Sequence, residues 1–326
     1  MKQTLLLASI FFTFISNAQS YPPKAEEPGS TALYKDDAVF VAWATGAEIV
    51  RGYIQISDTT KTYNGSNRAS IGSSSSPLGV AGENGVVSLG DAGTATLTFA
   101  KPITNGPGFD FAVFENGTDF FLELAFVEVS SDGINFFRFP AHSQTQTATQ
   151  VGGFGSLDCT YLNNLAGKYR GTFGTPFDID ELPNNPLLNK NRITHVKVID
   201  VVGTIIPEFA SLDSFGNKVN DPYPTPFNSG GFDLAGVGVI NQSTLGIDEV
   251  TNELDFYIYP NPTTDKVYIK GLETADVKVY DVSGRIVLQQ KGVNQEGVNV
   301  SILNTGLYLF EVSVGNRTST KRLVIK

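Results

Sequence analysis

Cysteine, histidine and tryptophan are nearly absent from this sequence, and each shortage narrows what the protein can be. Cys159 is the only cysteine, so an internal disulfide is excluded and the core must be large enough to need none. We predict that this residue is a small buried hydrophobe, with a reactive thiol as the alternative. His142 and His195 are far apart, and the His-Glu-x-x-His and Gly-x-Ser-x-Gly patterns of hydrolases are missing. The sequence therefore predicts a protein that is not an enzyme.

Basic residues are also scarce in the first three-quarters of the chain. Residues 19–245 carry 23 acidic and 13 basic side chains, whereas residues 246–326 carry 10 and 9. An acidic surface repels phosphate backbones and anionic lipid headgroups, so nucleic acid and anionic membrane surfaces are not expected partners. The same excess of carboxylates is compatible with bound calcium.

Long hydrophobic runs are missing after the N-terminus. Lys2 precedes an apolar run from Leu5 to Ile15, and the small residues of Ser16-Asn17-Ala18 precede a cleavage point at Gln19. The run is shorter than the roughly 20 residues that cross a bilayer. Residues 1–18 are therefore predicted to be a signal peptide. No cysteine follows the cut, which argues against a lipid anchor, and no other stretch is apolar enough to span a membrane.

The sequence does contain a dense series of strand and turn signals. Residues 94–99 alternate polar and apolar side chains, as a strand with one buried face does. Further strand-like runs are 111–114, 125–130, 193–202 and 232–240, with turn chemistry at 105–108 and 131–133. Short strands without strand–helix alternation predict an all-β jelly roll or β-sandwich for residues 19–240. Residues 70–77 and 143–156 are predicted to be long loops, and residues 241–253 a linker.

Residues 254–326 carry their own ordered set of motifs. In chain order these are Tyr259-Pro260-Asn261-Pro262, Val279 to Arg285, Leu303 to Tyr308 and the basic end from Lys321 to Lys326. This series closely resembles the type A sorting domain of type IX secretion cargo. The resemblance implies a small Ig-like β-sandwich, transport across the outer membrane, and cleavage of the domain, often with attachment of the passenger to surface polysaccharide. It also assigns the sorting-motif residues as Pro260, Asn261, Pro262, Gly284, Arg285, Gly306, Tyr308 and Lys321. The alternative is an ordinary C-terminal binding module.

The passenger region has a second resemblance. Val127 to Phe136 resembles the core hairpin of discoidin-like, galactose-binding-type jelly rolls, in which a strand ending in Ser-x-Asp-Gly returns through an aromatic residue. The wider pattern is similar to a family of uncharacterised bacterial cell-surface proteins. The segments that carry this likeness are 105–116, 174–178, 221–225 and 229–234. Nine phenylalanines between positions 109 and 139 are predicted to form a core, with an aromatic platform for a sugar as the alternative.

One segment, from Asp213 to Asp221, has metal-ligand spacing. Calcium takes six to eight oxygen ligands from carboxylates, amides and carbonyls on a curved loop. The candidate ligands are Asp213, Asn217, Asn220 and Asp221. The loop is not an EF-hand, because its third position is Phe215 and its twelfth is Pro224. It is interpreted either as a turn held by local Asp and Asn bonds or as a structural calcium site, which Asp233 could join.

Together these patterns predict a secreted or surface-attached, non-enzymatic binding protein with carbohydrate as the leading ligand class. The expected partners are the type IX secretion machinery and an extracellular polysaccharide or surface receptor, and calcium is the candidate cofactor. Two other functions stay open. One is a structural or adhesive surface protein without a small ligand. The other is a polysaccharide-active enzyme that uses Glu115 with Glu123 or Glu128.

Overall fold

The computed structural model describes residues 20–243, 254, 256–294, 296–315 and 317–326. The described chain forms two compact units that divide after Ser243. The predicted signal peptide and most of the predicted linker lie outside the described residues. Within them, the helical segments are two single 3-10 turns, Cys159–Tyr161 and Ile179–Glu181. The all-β prediction is therefore confirmed. A helix long and apolar enough to cross the bilayer is not found in the described parts of the chain.

The first unit is built from two antiparallel sheets and a small separate pair of strands. One sheet has the order β1 (Leu33–Tyr34), β11 (Phe173–Phe177), β6 (Phe111–Glu115), β13 (Asp233–Val239) and β2 (Ala42–Trp43), with β4 (Val87–Ser88) also on β13. The other has the order β3 (Gly46–Val50), β5 (Thr94–Ile103), β12 (Ile193–Asp200), β7 (Ala125–Ser130) and β8 (Phe137–Arg138). The pair joins β9 (His142–Ser143) to β10 (Leu162–Asn163).

The main core lies between these two sheets. Val113 of β6 and Val237 of β13 pack in one cluster with Leu97 of β5 and Val198 of β12. The alternation of β12, which buries every second residue from Val196 to Asp200, is what a strand with one face on a core requires. Each fully buried Val or Leu contributes about 1.5–3 kcal/mol relative to exposure. The core is thus held by hydrophobic burial alone, without a disulfide.

The phenylalanines of residues 109–139 divide between core and surface. Phe111 and Phe139 are fully buried. Phe111 stacks on Phe177 at a ring-centroid distance of 5.4 Å, and Phe139 packs against Phe177 at a tilted angle, 5.0 Å away. Phe114 lies on the opposite face of β6, against Trp43. Phe120, by contrast, is 61% exposed. Most of the predicted aromatic core exists, and the exposed ring belongs to the site described below.

Residues 241–243, predicted as the start of the linker, belong to the first unit. The Asn241 side chain donates to the Asp110 carboxylate at 2.9 Å, and the Ser243 amide donates to the Pro102 carbonyl at 3.0 Å. Cys159 is also buried in this unit, and burial raises the pKa of its thiol. A raised thiol pKa suppresses the reactive thiolate, as the prediction of a buried hydrophobe requires.

The second unit has seven strands in two sheets. One sheet holds β14 (Tyr257–Tyr259), β15 (Lys266–Lys270) and β18 (Val298–Asn299), in that order. The other holds β17 (Ile286–Val293), β16 (Ala275–Tyr280), β19 (Gly306–Val314) and β20 (Arg317–Ile325), in that order. Leu254 and Phe256 are buried in its core with Val267 and Phe310. The buried apolar residues of the second unit form a cluster that shares no residue with the main core of the first unit.

Candidate functional site

Three adjoining hollows follow the long loop that joins β9 to β10. The first, of 530 Å³, is lined by residues 142–147 and 216–218. The second, of 580 Å³, shares residues 144–146 with the first and adds Val151, residues 156–158 and Tyr161. The third, of 340 Å³, shares Leu157 and Asp158 with the second. Neighbouring hollows share lining residues, and the three together are here called the loop groove.

Two of the residues that line the loop groove carry hydroxyl groups without hydrogen-bond partners in the described part of the chain. The hydroxyl oxygens of Ser143 and Thr145 are buried, and neither has a hydrogen-bond partner among the described residues. An unpaired buried hydroxyl costs about 1–3 kcal/mol, so such groups normally meet a ligand or water. Gln144, Gln146 and Asn217 add amide groups to the same walls. The groove is therefore a polar surface prepared for hydrogen bonding.

Exposed aromatic rings flank the same groove. Tyr161 lines the second hollow and is 43% exposed, and Phe120 lines the third. Phe215 stands beside the first hollow, 69% exposed, with its ring 4.5 Å from that of His142. Aromatic faces next to hydroxyl and amide groups match a ligand that has both an apolar face and hydroxyls. Of these rings, Phe120 belongs to the phenylalanine-rich stretch considered as an aromatic platform, whereas Tyr161 and Phe215 were not singled out as candidate ligand contacts.

Asn220 holds the loop that joins β9 to β10 through four hydrogen bonds. Asn220 is fully buried, and its Oδ1 accepts from Gln150 Nε2 and from the Val151 amide, both at 3.0 Å. Its Nδ2 donates to the carbonyls of Gln146 at 2.6 Å and Thr149 at 2.8 Å. Both ends of the amide are thus used to hold the loop backbone against the rest of the unit.

Asp213 likewise holds backbone groups of residues that line the first hollow of the loop groove. Its carboxylate accepts from the amide of Ser143 at 3.0 Å, the amide of Phe215 at 2.9 Å, and the amide of Asn217 at 2.8 Å. Burial opposes ionisation of this carboxyl, yet these donors, led by Ser143, lower its pKa below the ordinary value. The ionised side chain joins the 213–217 turn to β9.

The four predicted calcium ligands are not brought together. Asn217 donates its side-chain amide to Asp213 at 3.1 Å, so these two form the local turn. Asn220 bonds instead to the loop that joins β9 to β10, and Asp221 accepts from the Leu124 amide at 2.7 Å. Across the described residues, no group of three His, Cys, Asp or Glu side chains is placed to hold a metal ion. Hydrogen-bond donors of the protein, local for Asp213 and distant in sequence for Asn220 and Asp221, take the oxygens that the sequence pattern offers to a cation.

Asn220→Ala should loosen the loop groove. The substitution removes four hydrogen bonds from a buried position, at roughly 1 kcal/mol each, so we expect a loss of about 2–4 kcal/mol in stability. Limited digestion with chymotrypsin should then cut faster after Phe154, which is 80% exposed in this loop. Asn217→Ala is the control, because its exposed side chain bonds only within its own turn. Equal digestion of both variants would show that Asn220 does not brace the loop.

A second cluster, of six carboxyl groups, lies at one end of the two sheets and is here called the carboxylate cluster. Its members are Asp91, Glu115, Glu123, Asp200, Asp221 and Asp233. Five are less than 8% exposed, and Asp233 is partly buried. Several are strand ends, since β6 ends at Glu115, β12 ends at Asp200 and β13 begins at Asp233.

Burial raises the pKa of every group in the carboxylate cluster. For Asp91 and Asp233 the pKa rises to about 6. Mutual repulsion adds to burial, from Asp91 at Asp200 and from Glu115 at Glu123. Backbone donors offset part of this effect: the Asp200 carboxylate accepts from the Phe232 amide at 2.7 Å. The carboxylates of the cluster therefore hold neighbouring backbone segments by hydrogen bonds, while the burial of their charges lowers the stability of the fold.

The carboxylate pair considered for glycosidase chemistry is only partly assembled. Glu115 and Glu123 are both in the carboxylate cluster, whereas Glu128 lies on β7 in an ion pair of 2.9 Å with Arg138. None of the three lines the loop groove. Sequence reasoning singled out Glu115, Glu123, Asp221 and Asp233 but not Asp91 or Asp200, which carry no motif.

The sorting-motif residues lie on the surface of the second unit. Asn261 accepts from the Val324 amide at 2.9 Å and donates to the Arg322 carbonyl at 2.7 Å, which fastens the Pro260–Pro262 segment to β20. Gly306 opens β19, and the Tyr308 hydroxyl donates to the Asn304 carbonyl at 2.9 Å. The exposed Lys321 ammonium lies 5.7 Å from the centre of the Phe256 ring.

The turn before β17 is organised by one carboxylate. Asp281 accepts from the Ser283 hydroxyl at 2.6 Å and from Nε of Arg285 at 3.1 Å. These bonds, led by that of Ser283, lower the pKa of Asp281 to about 2. Gly284 between them has φ of +82°, a conformation that other residues rarely adopt. The Ser-Gly-Arg motif is thus a rigid exposed turn.

Comparisons with known proteins assign the second unit. Residues 257–326 match the family model of the secretion system C-terminal sorting domain. No curated protein sequence matches the chain. Among solved structures, PorZ, a surface component of the type IX secretion system of Porphyromonas gingivalis, is 23% identical over 28% of this chain and 14% of its own, with a TM-score of 0.21.

Two glycosidases are more distant still. A β-glucuronidase from Ruminococcus gnavus is 15% identical over 72% of this chain and 36% of its own, with a TM-score of 0.19. The glycoside hydrolase domain of Endo-D from Streptococcus pneumoniae R6 is 13% identical over 86% and 37%, with a TM-score of 0.21. This chain thus spans well under half the length of each of these three proteins, and such low scores carry no functional argument. The match to the sorting-domain family does support a functional assignment. Residues 257–326 are a type IX secretion sorting domain, and the protein is cargo that reaches the cell surface or the extracellular medium.

Proposed function

We propose that this cargo is a binding protein without enzymatic activity, and that it holds a carbohydrate chain in the loop groove. The observation that carries the proposal is the pair of buried hydroxyls, on Ser143 and Thr145, that lack partners among the described residues. A sugar hydroxyl can both donate to and accept from such groups, which an apolar ligand cannot do. Tyr161 and Phe120 supply rings on which the apolar face of a sugar can stack.

The dimensions of the groove support an extended ligand. Each hollow has a volume in the range of about 300–1,000 Å³ that single small-molecule sites occupy. Three in succession suit several linked units rather than one monosaccharide. Charged groups of both signs, Lys24, Lys218, Glu27 and Asp158, are spread along the walls. This mixture favours a neutral oligosaccharide over a strongly anionic one.

Binding is favoured over hydrolysis by the separation of the two sites. The carboxyl groups considered as a glycosidase pair, Glu115 with Glu123 or Glu128, are absent from the lining of the loop groove. General acid and base groups must lie within hydrogen-bond reach of the bond that they cleave. A chain bound in the groove would therefore meet the carboxylates of Glu27, Asp119 and Asp158, but not the pair considered.

A glycan array followed by calorimetry with the best oligosaccharide tests the proposal. Thr145→Val removes one unpaired hydroxyl at nearly constant volume, and Tyr161→Ala removes one stacking ring. We expect each to weaken binding by about 10-fold, which corresponds to about 1.4 kcal/mol. Tyr34→Ala is the matched control, because Tyr34 is 40% exposed on β1, against 43% for Tyr161, and does not line the groove.

Two outcomes would overturn the assignment. Unchanged affinity in both groove variants would place the ligand elsewhere. Failure of the intact protein to bind any glycan would favour the structural or adhesive alternative. Release of reducing sugar from a bound polysaccharide would instead favour the enzyme, and Glu115→Gln would then show whether the carboxylate cluster performs the reaction.

A further inference from the structure

The carboxylate cluster contains far more negative charge than its surroundings balance. In the described residues, no Lys or Arg forms an ion pair with any of its six members. The Arg51 guanidinium acts on Asp233 and lowers the pKa of that carboxyl slightly against the effect of burial. Arg51 itself donates to the main-chain carbonyls of Ile71, Gly72 and Ser88. Buried carboxylates are normally paired, protonated or bound to a metal.

Glu115 is the member of the carboxylate cluster with a buried oxygen that lacks a hydrogen-bond partner in the described part of the chain. It is 2% exposed, and its Oε2 has no hydrogen-bond partner among the described residues. Burial and the charge of Asp233 raise the pKa of Glu115 well above its usual value, and the nearby amides of Asn116 and Gly117 offset only part of this. Glu123, the closest member along the chain, likewise makes no side-chain hydrogen bond within the described part of the protein.

A main-chain oxygen comes close to the same point. A methyl group at Gly117 would stand 2.5 Å from Glu115 Oε2 and 2.8 Å from the Phe121 carbonyl oxygen. Both oxygens therefore approach the same side of the Gly117 backbone, and this carboxylate–carbonyl pair is here called the cradle. The Phe121 carbonyl accepts one bond, from the Thr118 amide at 3.0 Å, and keeps a second lone pair.

We propose that this cradle binds one calcium ion, with Glu115 Oε2, the Glu123 carboxylate and the Phe121 carbonyl as protein ligands. Calcium accepts six to eight oxygens in flexible geometry, including main-chain carbonyls and water. With two carboxylates as direct ligands, the site agrees with the lack of any three acidic side chains placed around one point. The other members, Asp91, Asp200, Asp221 and Asp233, supply negative charge around the ion. The cluster has no Cys or His, so softer transition metals are disfavoured.

The site would also act on the loop groove. The Glu115–Glu123 segment carries Phe120, which lines the third hollow, and the Phe120 carbonyl accepts from the Leu157 amide at 2.9 Å. An ion that fixes this segment therefore fixes one wall of the groove. The calcium site itself does not depend on the groove's ligand being a carbohydrate.

Calorimetry on the chelator-treated protein tests the proposal. Calcium should bind with a stoichiometry of one per chain and raise the melting temperature. At free calcium 100-fold above Kd, the ratio of folded to unfolded protein should rise about 100-fold. Magnesium at the same concentration should have little effect, because it requires a strict octahedron and keeps its water. No heat and no thermal shift on adding calcium to metal-free protein would refute the site.

Two variants locate the ion. Glu115→Gln keeps the shape but removes the ligand charge, and should abolish calcium binding. Asp213→Asn in the sequence-predicted loop should leave binding unchanged. The reverse result would move the ion to the 213–221 loop. If Glu115→Gln does not fold, Asp213→Asn still decides, because loss of calcium binding in that variant would move the ion to the 213–221 loop.

Discussion

Deletion of residues 254–326 should leave the folded passenger inside the periplasm, with little protein at the cell surface or in the medium. These residues contain the whole matched sorting domain, and Leu254 and Phe256 belong to its core. The deletion therefore removes one complete hydrophobic cluster and leaves that of the first unit unchanged. Cell fractionation with immunoblotting measures the outcome, which should be a nearly complete loss of secretion.

A point variant separates recognition from folding. Arg285 has 78% of its side chain exposed and bonds to Asp281 within its own turn, so Arg285→Ala should reduce secretion without unfolding the second unit. Lys270→Ala on β15 is the control, since Lys270 is also exposed but outside the motif series. Normal secretion of the deletion would contradict the role of the domain. Equal secretion of the two point variants would contradict only the role of Arg285.

The first unit should be markedly more stable at pH 5 than at pH 8 when calcium is removed. Burial raises the pKa of Asp91 and Asp233 from 3.8 in the unfolded chain to about 6 in the fold. Protonated carboxyls are thus favoured by folding, so this stability is fully present below about pH 4 and is lost as pH rises through 6. Each group accounts for about 3 kcal/mol over the whole transition, of which about half is lost between pH 5 and pH 8. Trp43, the only tryptophan, lies in this unit and reports its unfolding by fluorescence.

Asp91→Asn is the diagnostic variant for this pH dependence. One Asp91 oxygen accepts from the Ile56 amide at 2.6 Å, and an asparagine carbonyl can keep that bond without ionising. The variant should be more stable than wild type at pH 8, with a smaller dependence on pH. Asp132→Asn is the control, because hydrogen bonds led by that of Asn135 lower the pKa of exposed Asp132, so it stays ionised throughout. A flat stability profile from pH 5 to pH 8 in wild-type protein would rule out the electrostatic cost assigned to the cluster.

Strand positions were predictable because the signals are local. The run 94–99 became β5, the run 125–130 is β7 itself, and the run 232–240 contains β13. The turn after β7 was also readable, since Asp132 accepts from the amides of Ile134 and Asn135, two and three residues away. Alternation of side chains and Asx turns depend on neighbours within a few residues, so a sequence displays them directly.

The segment predicted to bind calcium shows that a local pattern does not predict contacts between residues distant in sequence. Asp213 and Asn217 formed the local turn, as one of the two interpretations expected. Asn220 instead bonds to Gln146 and Gln150, about seventy residues earlier in the chain, and Asp221 bonds to Leu124. Spacing along a loop gives the types of donor and acceptor, but not which distant backbone groups will take them.

By itself, the sequence determined the all-β class, the approximate strand positions, the acidic first region and the sorting domain, because each depends on short-range patterns or on motifs in fixed order. Tertiary structure alone decided which side chains meet. It buried Asp91, Glu115 and Asp200 at one end of the sheets, although 24 or more residues separate them along the chain, and it left the hydroxyls of Ser143 and Thr145 unpaired in a groove. Burial and the loss of hydrogen-bond partners arise only when segments distant in sequence pack together, and these set the electrostatic cost of the carboxylate cluster and leave the two hydroxyls of the groove unpaired.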